Sequence, residues 1–303
     1  VLQLPPELAS IGATEAFPLI APRSYVARMR VGDPHDPLLR QVLPMGDELV
    51  EAAGFVPDPV DDAAATRTPG LLQKYAGRAL LVVTGACPVH CRYCFRRHFP
   101  YDRVPIDSAA WDEPLAHIAA DNSIHEVILS GGDPLSLVDQ RLAMLVQRIA
   151  GISHVRRLRV HTRFPIVIPQ RVTKELMEWL TATRVMPIVV LHANHAQELT
   201  ADVPAALARL RTAGVSLLNQ AVLLGGVNDS CAAQAALCER LVDLGVMPYY
   251  LHLLDHVAGA AHFDVPETNG RRIVEQLRER LPGYAVPRFV QETPGAVSKT
   301  SLT

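Results

Sequence analysis

Residues 79–94 read Ala-Leu-Leu-Val-Val-Thr-Gly-Ala-Cys-Pro-Val-His-Cys-Arg-Tyr-Cys. The first six residues form an apolar run typical of a buried strand, and Cys87, Cys91 and Cys94 follow within one loop. Three thiolates do not fill the four positions of a structural zinc site, whereas an iron–sulfur cubane held by three cysteines keeps one iron open for another ligand. The spacing therefore favours a cluster with an open iron.

A single zinc ion is the alternative for this loop, with His90 or His98 as its fourth ligand. Structural zinc sites usually draw their ligands from two separated pairs, and no second pair accompanies these three cysteines. The spacing therefore makes zinc the weaker interpretation.

Length and composition predict one catalytic domain. The 303 residues, of which 49% are hydrophobic, are enough for one large core. The net charge of -2 and the absence of a basic stripe argue against binding to nucleic acid. No apolar run approaches the roughly 18 residues of a membrane span, and the amino end lacks a basic region followed by an apolar one. We therefore expect a cytoplasmic protein with neither a membrane nor a nucleic-acid partner.

Apolar strand-like runs recur along the chain from residue 79, and each is followed by a helical pattern. This alternation predicts an α/β fold with a parallel sheet. Right-handed crossovers place the carboxyl ends of such strands at one rim, where barrel enzymes assemble their sites. We predict a partial (β/α)6 TIM-like barrel over residues 79–303, wrapped by a helical and irregular N-terminal extension over residues 1–78. The predicted strands are 80–84, 126–130, 158–162, 187–191, 216–223 and 248–253, and the predicted helices include 137–149 and 203–213.

Two further segments carry chemistry. Residues 130–135 read Ser-Gly-Gly-Asp-Pro-Leu, in which the glycines allow close backbone approach and Asp133 offers a carboxylate to a ligand ammonium. The same residues also make an acceptable loop between a strand and a helix.

Near the carboxyl end, Lys299 lies in a turn of small residues. It is either a solvated lysine or the attachment site of pyridoxal phosphate (PLP), because that cofactor needs an amine on an open loop.

The ordered set of motifs resembles the lysine 2,3-aminomutase family of radical S-adenosylmethionine (SAM) enzymes. The resemblance implies a radical SAM partial barrel that binds a [4Fe-4S] cluster, SAM and PLP. It also implies a reaction in which a 5′-deoxyadenosyl radical removes hydrogen from Cβ of lysine, so that nitrogen moves from C2 to C3 and β-lysine forms. The resemblance starts near residue 70 and rests on segments 74–78, 91–97, 130–135, 163–173, 192–195, 219–229 and 294–300.

The resemblance also assigns roles residue by residue. Arg96 is implied to hold the substrate carboxylate, a task suited to a planar bidentate donor, and Asp255 and Glu292 to hold the distal ammonium of lysine. The family has aspartate where this chain has Glu292. Without the resemblance, Arg96 is an ordinary surface arginine and the two acids are solvated loop residues. The implied set comprises Cys87, Cys91 and Cys94 for the cluster; Ser130, Gly131, Gly132, Asp133, Arg163, His192 and Gln220 for SAM; Tyr75, Arg78 and Lys299 for PLP; and Arg96, Asp255 and Glu292 for the substrate.

Several functions stay open at this point. Catabolic relatives continue past the lysine motif with a cysteine-bearing tail that binds zinc, and because this sequence stops at Thr303 we expect that zinc site to be absent. The Ser298-Lys299-Thr300 motif resembles instead the form that makes β-lysine for modification of elongation factor P. The alternatives are a catabolic lysine 2,3-aminomutase, another amino-acid 2,3-aminomutase, a radical SAM enzyme without PLP, and a noncatalytic zinc-stabilised interaction domain. We expect lysine as substrate and an electron donor such as flavodoxin or ferredoxin, and the sequence is compatible with a homo-oligomer.

Overall fold

The computed structural model describes residues 2–104 and 109–303. Within this part of the chain, ten strands form one sheet in chain order: β1 (Thr66–Thr68), β2 (Leu71–Leu72), β3 (Arg78–Thr84), β4 (Glu126–Gly131), β5 (Arg157–Thr162), β6 (Met186–His192), β7 (Ser216–Val222), β8 (Met247–His252), β9 (Arg288–Gln291) and β10 (Thr300–Ser301). Strands β3 to β9 are parallel. The antiparallel β1 and β2 extend one end and the antiparallel β10 extends the other, so the barrel is open.

The six predicted strands coincide with β3 to β8 to within two residues at each end, which confirms the partial α/β barrel. Side chains alternate between the two faces of these strands, as the extended backbone requires. In β5, the buried Leu158 and Val160 pack in the main hydrophobic core, whereas the half-exposed Arg159 and His161 take the opposite face. Strand β5 therefore presents two basic side chains on the face opposite the hydrophobic core.

Helices connect the parallel strands. The helix after β4 buries Leu142, Leu145, Val146 and Ile149 on one face, as its spacing predicts. The helices are α1 (Ile11–Ala16), α2 (Arg23–Val26), α3 (Pro37–Arg40), α4 (Asp62–Ala65), α5 (Asp112–Ala120), α6 (Asp139–Gly151), α7 (Phe164–Val167), α8 (Lys174–Thr181), α9 (Val203–Thr212), α10 (Cys231–Asp243) and α11 (Glu267–Arg280). Short 3-10 helices span Pro6–Leu8, Gly46–Leu49, Tyr101–Arg103, Ala109–Trp111, Pro134–Ser136, Pro169–Arg171, Ala196–Leu199, Ala261–Phe263 and Gly283–Ala285. No helix in the described residues has both the length and the apolar character to cross a membrane.

Strands β9 and β10 form a hairpin that the sequence did not predict. Thr300 pairs with Gln291 in an antiparallel register, so the loop 292–299 closes between them. Because Glu292 and Lys299 are the residues next to this pair, they begin and end the loop side by side. The hairpin therefore brings together an acid and an amine that are seven positions apart.

The segment before β3 is tied to the barrel by buried polar contacts. Ser24 Oγ donates to Val167 O at 2.5 Å, and the Arg28 guanidinium donates to Ile166 O at 2.6 Å and to Glu198 O at 2.5 Å. These acceptors lie beyond the carboxyl ends of β5 and β6. The segment thus packs against the rim where the site residues are expected.

Candidate functional site

The three cysteines lie in one loop after β3, and all three are half-buried. The loop is held through its backbone: His90 N donates to Ile20 O at 2.9 Å, and Arg92 N donates to Gln41 O at 2.9 Å. Burial raises the pKa of the Cys94 thiol to about 11. Because metal ligation uses the thiolate, iron binding at this loop would release that proton. Within residues 2–104 and 109–303, no three His, Cys, Asp or Glu side chains converge on a site for a metal ion.

A buried ion cluster fixes the cysteine loop to the amino-terminal segment. Glu48 accepts from Arg92 Nε at 2.8 Å, from Arg92 Nη2 at 2.6 Å and from Arg97 Nη2 at 2.9 Å. Arg92 also donates to Phe17 O at 2.6 Å and to Ala13 O at 3.1 Å. Removing one partner of a buried pair leaves an uncompensated charge, at a cost of about 3–5 kcal/mol. The loop geometry therefore depends on Glu48.

Arg163, a predicted SAM contact, points at the cysteine loop. Its Nη1 donates to Cys91 Sγ at 2.8 Å and to Tyr93 Oη at 2.9 Å, while its Nη2 donates to Glu198 Oε2 at 2.8 Å and to Gln41 Oε1 at 2.7 Å. Burial alone would lower the pKa of Arg163, but the anionic and polar neighbours reverse this and hold it well above its usual value. The guanidinium is therefore a fixed cation beside a cysteine sulfur.

The glycine pair after β4 packs against the start of the cysteine loop. Gly131 has φ near +124°, and a Cβ there would lie 2.4 Å from Thr84 O, while a Cβ on Gly132 would lie 2.4 Å from Ala86 O. Gly132 N donates to Thr84 O at 2.7 Å, and Asp133 N donates to Ala86 O at 2.8 Å. The absence of a side chain at these glycines thus lets the backbone after β4 pack closely against the backbone at the start of the cysteine loop. The contact of these glycines with SAM stays a prediction.

The carboxylate of Asp133 is enclosed by protein donors. It accepts from Thr162 Oγ1 at 2.7 Å, from Arg163 N at 2.7 Å and from Leu135 N at 3.1 Å. Burial raises its pKa to about 6 despite these hydrogen bonds. Asp133 thereby holds the end of β5, and its contact with a SAM amine stays a prediction.

His192 and Gln220 are neighbours at the carboxyl ends of β6 and β7, where the sheet pairs them in register. The ring of His192 lies 2.9 Å from Tyr93 Oη through Nε2 and stacks on the Tyr93 ring, with 5.7 Å between centroids. Burial, with a smaller contribution from Arg163, lowers the pKa of His192 to about 3, so the ring is neutral at physiological pH. Both predicted SAM contacts therefore lie on the same side of the rim as the cysteine loop.

Lys299, Glu292 and Tyr75 meet at the base of the β9–β10 hairpin. Lys299 Nζ pairs with Glu292 Oε2 and lies 5.9 Å from the centroid of the Tyr250 ring, and Tyr75 Oη donates to Glu292 Oε1 at 2.6 Å. The guanidinium of Arg78 lies 4.6 Å from the centroid of the Tyr75 ring. Burial would raise the pKa of Glu292, but Lys299 and Tyr75 lower it overall, so Glu292 is ionised. Each of the four predicted site residues therefore contacts at least one of the others: Lys299, Glu292, Tyr75 and Arg78.

Asp62 connects this group to Arg96, and the sequence analysis missed it. Asp62 Oδ2 accepts from Arg96 Nε at 2.8 Å, and Asp62 Oδ1 lies 2.8 Å from Lys74 Nζ. Lys74 Nζ also lies 3.8 Å from Glu292 Oε1, and Arg96 Nη1 donates to Ser130 Oγ at 3.2 Å. We name the set Lys299, Glu292, Lys74, Asp62 and Arg96 the ionic chain. Asp62 stands in an aspartate-rich stretch, where nothing in the sequence separates a buried acid from its solvated neighbours.

Asp255 lies just beyond β8 and is half-buried. Burial raises its pKa to about 7, an effect that Glu292 adds to and that the cation of Lys299 opposes. The carboxyl group of Asp255 therefore changes between its neutral and ionised forms near neutral pH. A cationic ligand beside it would favour the ionised form.

Comparison with known proteins identifies the class. The chain matches the Radical SAM superfamily over residues 81–237, which includes the cysteine loop and the strands around it. The solved structure of anSMEcpe with bound AdoMet has a similar fold, with a TM-score of 0.51 and 10% identity over 66% of this chain and 58% of that one. The open barrel and its three-cysteine loop are those of a radical SAM enzyme, and membership of this superfamily implies a [4Fe-4S] cluster and SAM.

Two relatives define the family within that class. L-lysine 2,3-aminomutase from Escherichia coli strain K12 is 48% identical over 295 residues, which cover 97% of this chain and 86% of that protein. L-lysine 2,3-aminomutase from Haemophilus influenzae is 43% identical over 291 residues, with 96% and 86% covered. The chain therefore belongs to the L-lysine 2,3-aminomutase family, and it is an isomerase. Family membership overturns the alternative of a noncatalytic zinc-stabilised interaction domain.

Proposed function

We propose that this protein is a PLP-dependent L-lysine 2,3-aminomutase that converts α-lysine to β-lysine. The observation that carries the proposal is the ionic chain, because it joins an amine suited to PLP, an acid suited to an ammonium group and an arginine suited to a carboxylate at one barrel mouth. A diffusible α-amino acid with a cationic side chain offers the groups that these residues recognise. The relatives named L-lysine 2,3-aminomutase support the same substrate.

We assign the substrate carboxylate to Arg96. Asp62 engages its Nε atom, which leaves the planar Nη1–Nη2 pair to grip a carboxylate in two parallel hydrogen bonds. Ser130 Oγ, 3.2 Å from Nη1, is a neutral neighbour that a carboxylate displaces at little cost. Burial alone would lower the pKa of Arg96, but Asp62 raises it, which keeps the arginine fully charged.

We assign the distal ammonium of lysine to Asp255 and Glu292. Two carboxylates near one another repel, and the ammonium of the substrate relieves that repulsion. Glu292 pairs with the amine of Lys299 in the protein without PLP, and when PLP takes that amine the carboxylate is left for the distal ammonium of lysine. Substrates with a neutral or acidic distal group leave the acids without a partner, which gives selectivity for lysine.

The residues around Lys299 fit PLP. The amine lies on a hairpin loop and is partly exposed, with 23% of its side-chain surface accessible, so a carbonyl compound reaches it. The cations of Arg78 and Lys74 flank Tyr75 and suit a phosphate dianion. When bound, PLP supplies the carbonyl chemistry that lets the substrate nitrogen migrate, and SAM with the cluster supplies the radical that removes hydrogen from Cβ.

We assign the [4Fe-4S] cluster to the cysteine loop, where the three thiols are not gathered around one point as the ligands of a single metal ion are. Cys87, Cys91 and Cys94 present three half-buried thiols from a loop whose backbone is anchored on the amino-terminal segment, and a cubane held by three cysteines leaves one iron for SAM. The neutral ring of His192, together with Gln220, lines the rim beside this loop. The contribution of the protein is to fix both ends of lysine, so that Cβ stays within reach of the radical while water is excluded.

We further propose that the β-lysine serves the modification of elongation factor P, on the resemblance of the Ser298-Lys299-Thr300 motif. The oxygen sensitivity of an iron–sulfur cluster fits a reducing compartment, the cytoplasm, with flavodoxin or ferredoxin as the electron donor. Mass spectrometry of elongation factor P tests this role in cells that lack the enzyme. Complementation with the wild-type gene should restore the lysyl modification, and the Lys299→Ala gene should not.

The deciding experiment for the activity is anaerobic reconstitution with iron and sulfide, followed by incubation with SAM, dithionite and lysine and by amino-acid analysis for β-lysine. Lys299→Ala should abolish product and the visible absorbance of bound PLP while the cluster spectrum persists. Lys174→Ala is the matched control, because Lys174 is an exposed lysine of α8 whose ammonium pairs with Glu178 in the same helix. Full PLP absorbance in Lys299→Ala would refute the cofactor assignment, and turnover without PLP would favour a radical SAM enzyme of another kind.

A further inference from the structure

We infer that Arg163 is a positioning residue of the iron–sulfur cluster. Arg163 raises the reduction potential of the cluster by donating a hydrogen bond to the sulfur of Cys91. The inference goes beyond the proposed function, because it depends on the cluster alone and not on PLP or lysine. The inference rests on one contact, the hydrogen bond from Arg163 Nη1 to Cys91 Sγ at 2.8 Å, and on the neighbouring groups that hold this contact in place.

The guanidinium of Arg163 is locked on its other sides. Nη1 also donates to Tyr93 Oη, whose ring lies between Cys91 and Cys94 in the sequence, and Nη2 donates to Glu198 Oε2 at 2.8 Å and to Tyr25 Oη at 3.1 Å. Only 4% of the surface of Arg163 is exposed. A buried, fully charged donor with fixed geometry exerts a much larger electrostatic effect than a solvated one.

The direction of the effect follows from charge. Reduction of the cluster adds one electron from a low-potential donor, and that negative charge is spread over the iron and sulfur atoms. A cationic hydrogen-bond donor on a ligand sulfur stabilises the reduced state more than the oxidised state, so the potential rises. Glu198 opposes this effect, because its carboxylate places a negative charge on the far side of the same guanidinium. The potential at this site is therefore set by an arginine and a glutamate with opposite influence.

The test is the midpoint potential of the cluster in reconstituted protein without SAM, measured by redox titration with electron paramagnetic resonance. Arg163→Met should lower the potential, so that the ratio of reduced to oxidised cluster at a fixed potential falls roughly tenfold, equal to about 59 mV for one electron. Glu198→Gln, which keeps an acceptor for Arg163 but removes the charge, should raise the potential. Arg171→Met is the matched control, since Arg171 makes an equally complete set of bonds to Asp139 and to Leu135 O and should leave the potential unchanged.

A second measurement detects the contact directly. In protein whose arginines carry 15N in the guanidinium group alone, pulsed electron paramagnetic resonance of the reduced cluster should show a nitrogen coupling that Arg163→Met or Arg163→Lys weakens and Arg171→Met retains. If the Arg163→Met protein assembles no cluster, the midpoint potentials of the Arg163→Lys and Glu198→Gln proteins decide. The potential should fall in Arg163→Lys and rise in Glu198→Gln. Shifts of the same sign in the arginine and glutamate variants would indicate general loosening of the loop and overturn the inference, as would an unchanged nitrogen coupling.

Discussion

The ionisation of Asp255 predicts a pH step in lysine binding. Its pKa of about 7 means that about one tenth of the carboxyl groups are ionised at pH 6 and about nine tenths at pH 8. The lysine ammonium, with a pKa of about 10.4, stays protonated across this window, and Glu292, with its lowered pKa, stays ionised. The affinity for lysine should therefore rise roughly tenfold, or ~1.4 kcal/mol, from pH 6 to pH 8.

The assay compares lysine with norleucine, which has the same chain without the distal ammonium. Both ligands meet the same proton equilibria at the cofactor and the cluster, and the α-amino groups of both are mostly protonated up to pH 8, so the ratio of their affinities reports mainly on the distal contact. That ratio should rise with pH in the wild-type enzyme and stay flat in Asp255→Asn, while SAM affinity is unaffected. A ratio that is constant from pH 6 to pH 8 in the wild type, or a step that survives in Asp255→Asn, would contradict the assignment.

Three further perturbations test the framework of the site. Asp62→Asn should weaken lysine binding by roughly tenfold or more without changing SAM affinity, because a charge-assisted bond to the carboxylate-binding arginine is worth about 1.5–3 kcal/mol. Glu48→Gln should lower the free energy of unfolding of the apo-protein by about 3–5 kcal/mol in denaturant titration, since two buried arginines lose their counter-charge. Gly132→Ala, whose Cβ would lie 2.4 Å from Ala86 O, should cost about 1–3 kcal/mol and lower the iron content, whereas Gly283→Ala, with open space at its Cβ, should do neither.

The long strands could be predicted from the sequence because their hydrophobic pattern extends over several residues. Strands β3 to β8 have six or seven residues each, which is enough for a run or an alternation to stand out. Strands β9 and β10 have four and two residues and carry no such period. They form because an adjacent strand edge is already present, which is tertiary information. The pairing of Glu292 with Lys299 across their hairpin was therefore beyond sequence reasoning, although both residues were singled out.

In the site, too, the local sequence predicts motifs but not the contacts between distant residues. The spacing of the three cysteines is local, so it pointed to a cluster, but the donor to Cys91 comes from Arg163, which is 72 positions away. Asp133 was expected to face a ligand because its loop is glycine-rich. That contact stays a prediction, and the structure adds that the Asp133 carboxylate accepts hydrogen bonds from the end of β5, a strand the local sequence does not reveal as its neighbour. Sequence motifs thus singled out individual residues, while the partners of those residues depend on how distant strands meet.

The segment before β3 supplies the counter-charges for the barrel rim. Arg92 lies in the cysteine loop, and Arg96 and Arg97 follow that loop within three residues. The acids that neutralise these buried arginines, Glu48 and Asp62, come from the preceding segment. Gln41 and Tyr25 from the same segment complete the shell around Arg163. A buried guanidinium without such partners costs several kcal/mol, comparable with the whole stability of a domain. The arginines at the rim and the segment that covers them are therefore interdependent, and we expect the strands and the residues before them to unfold together.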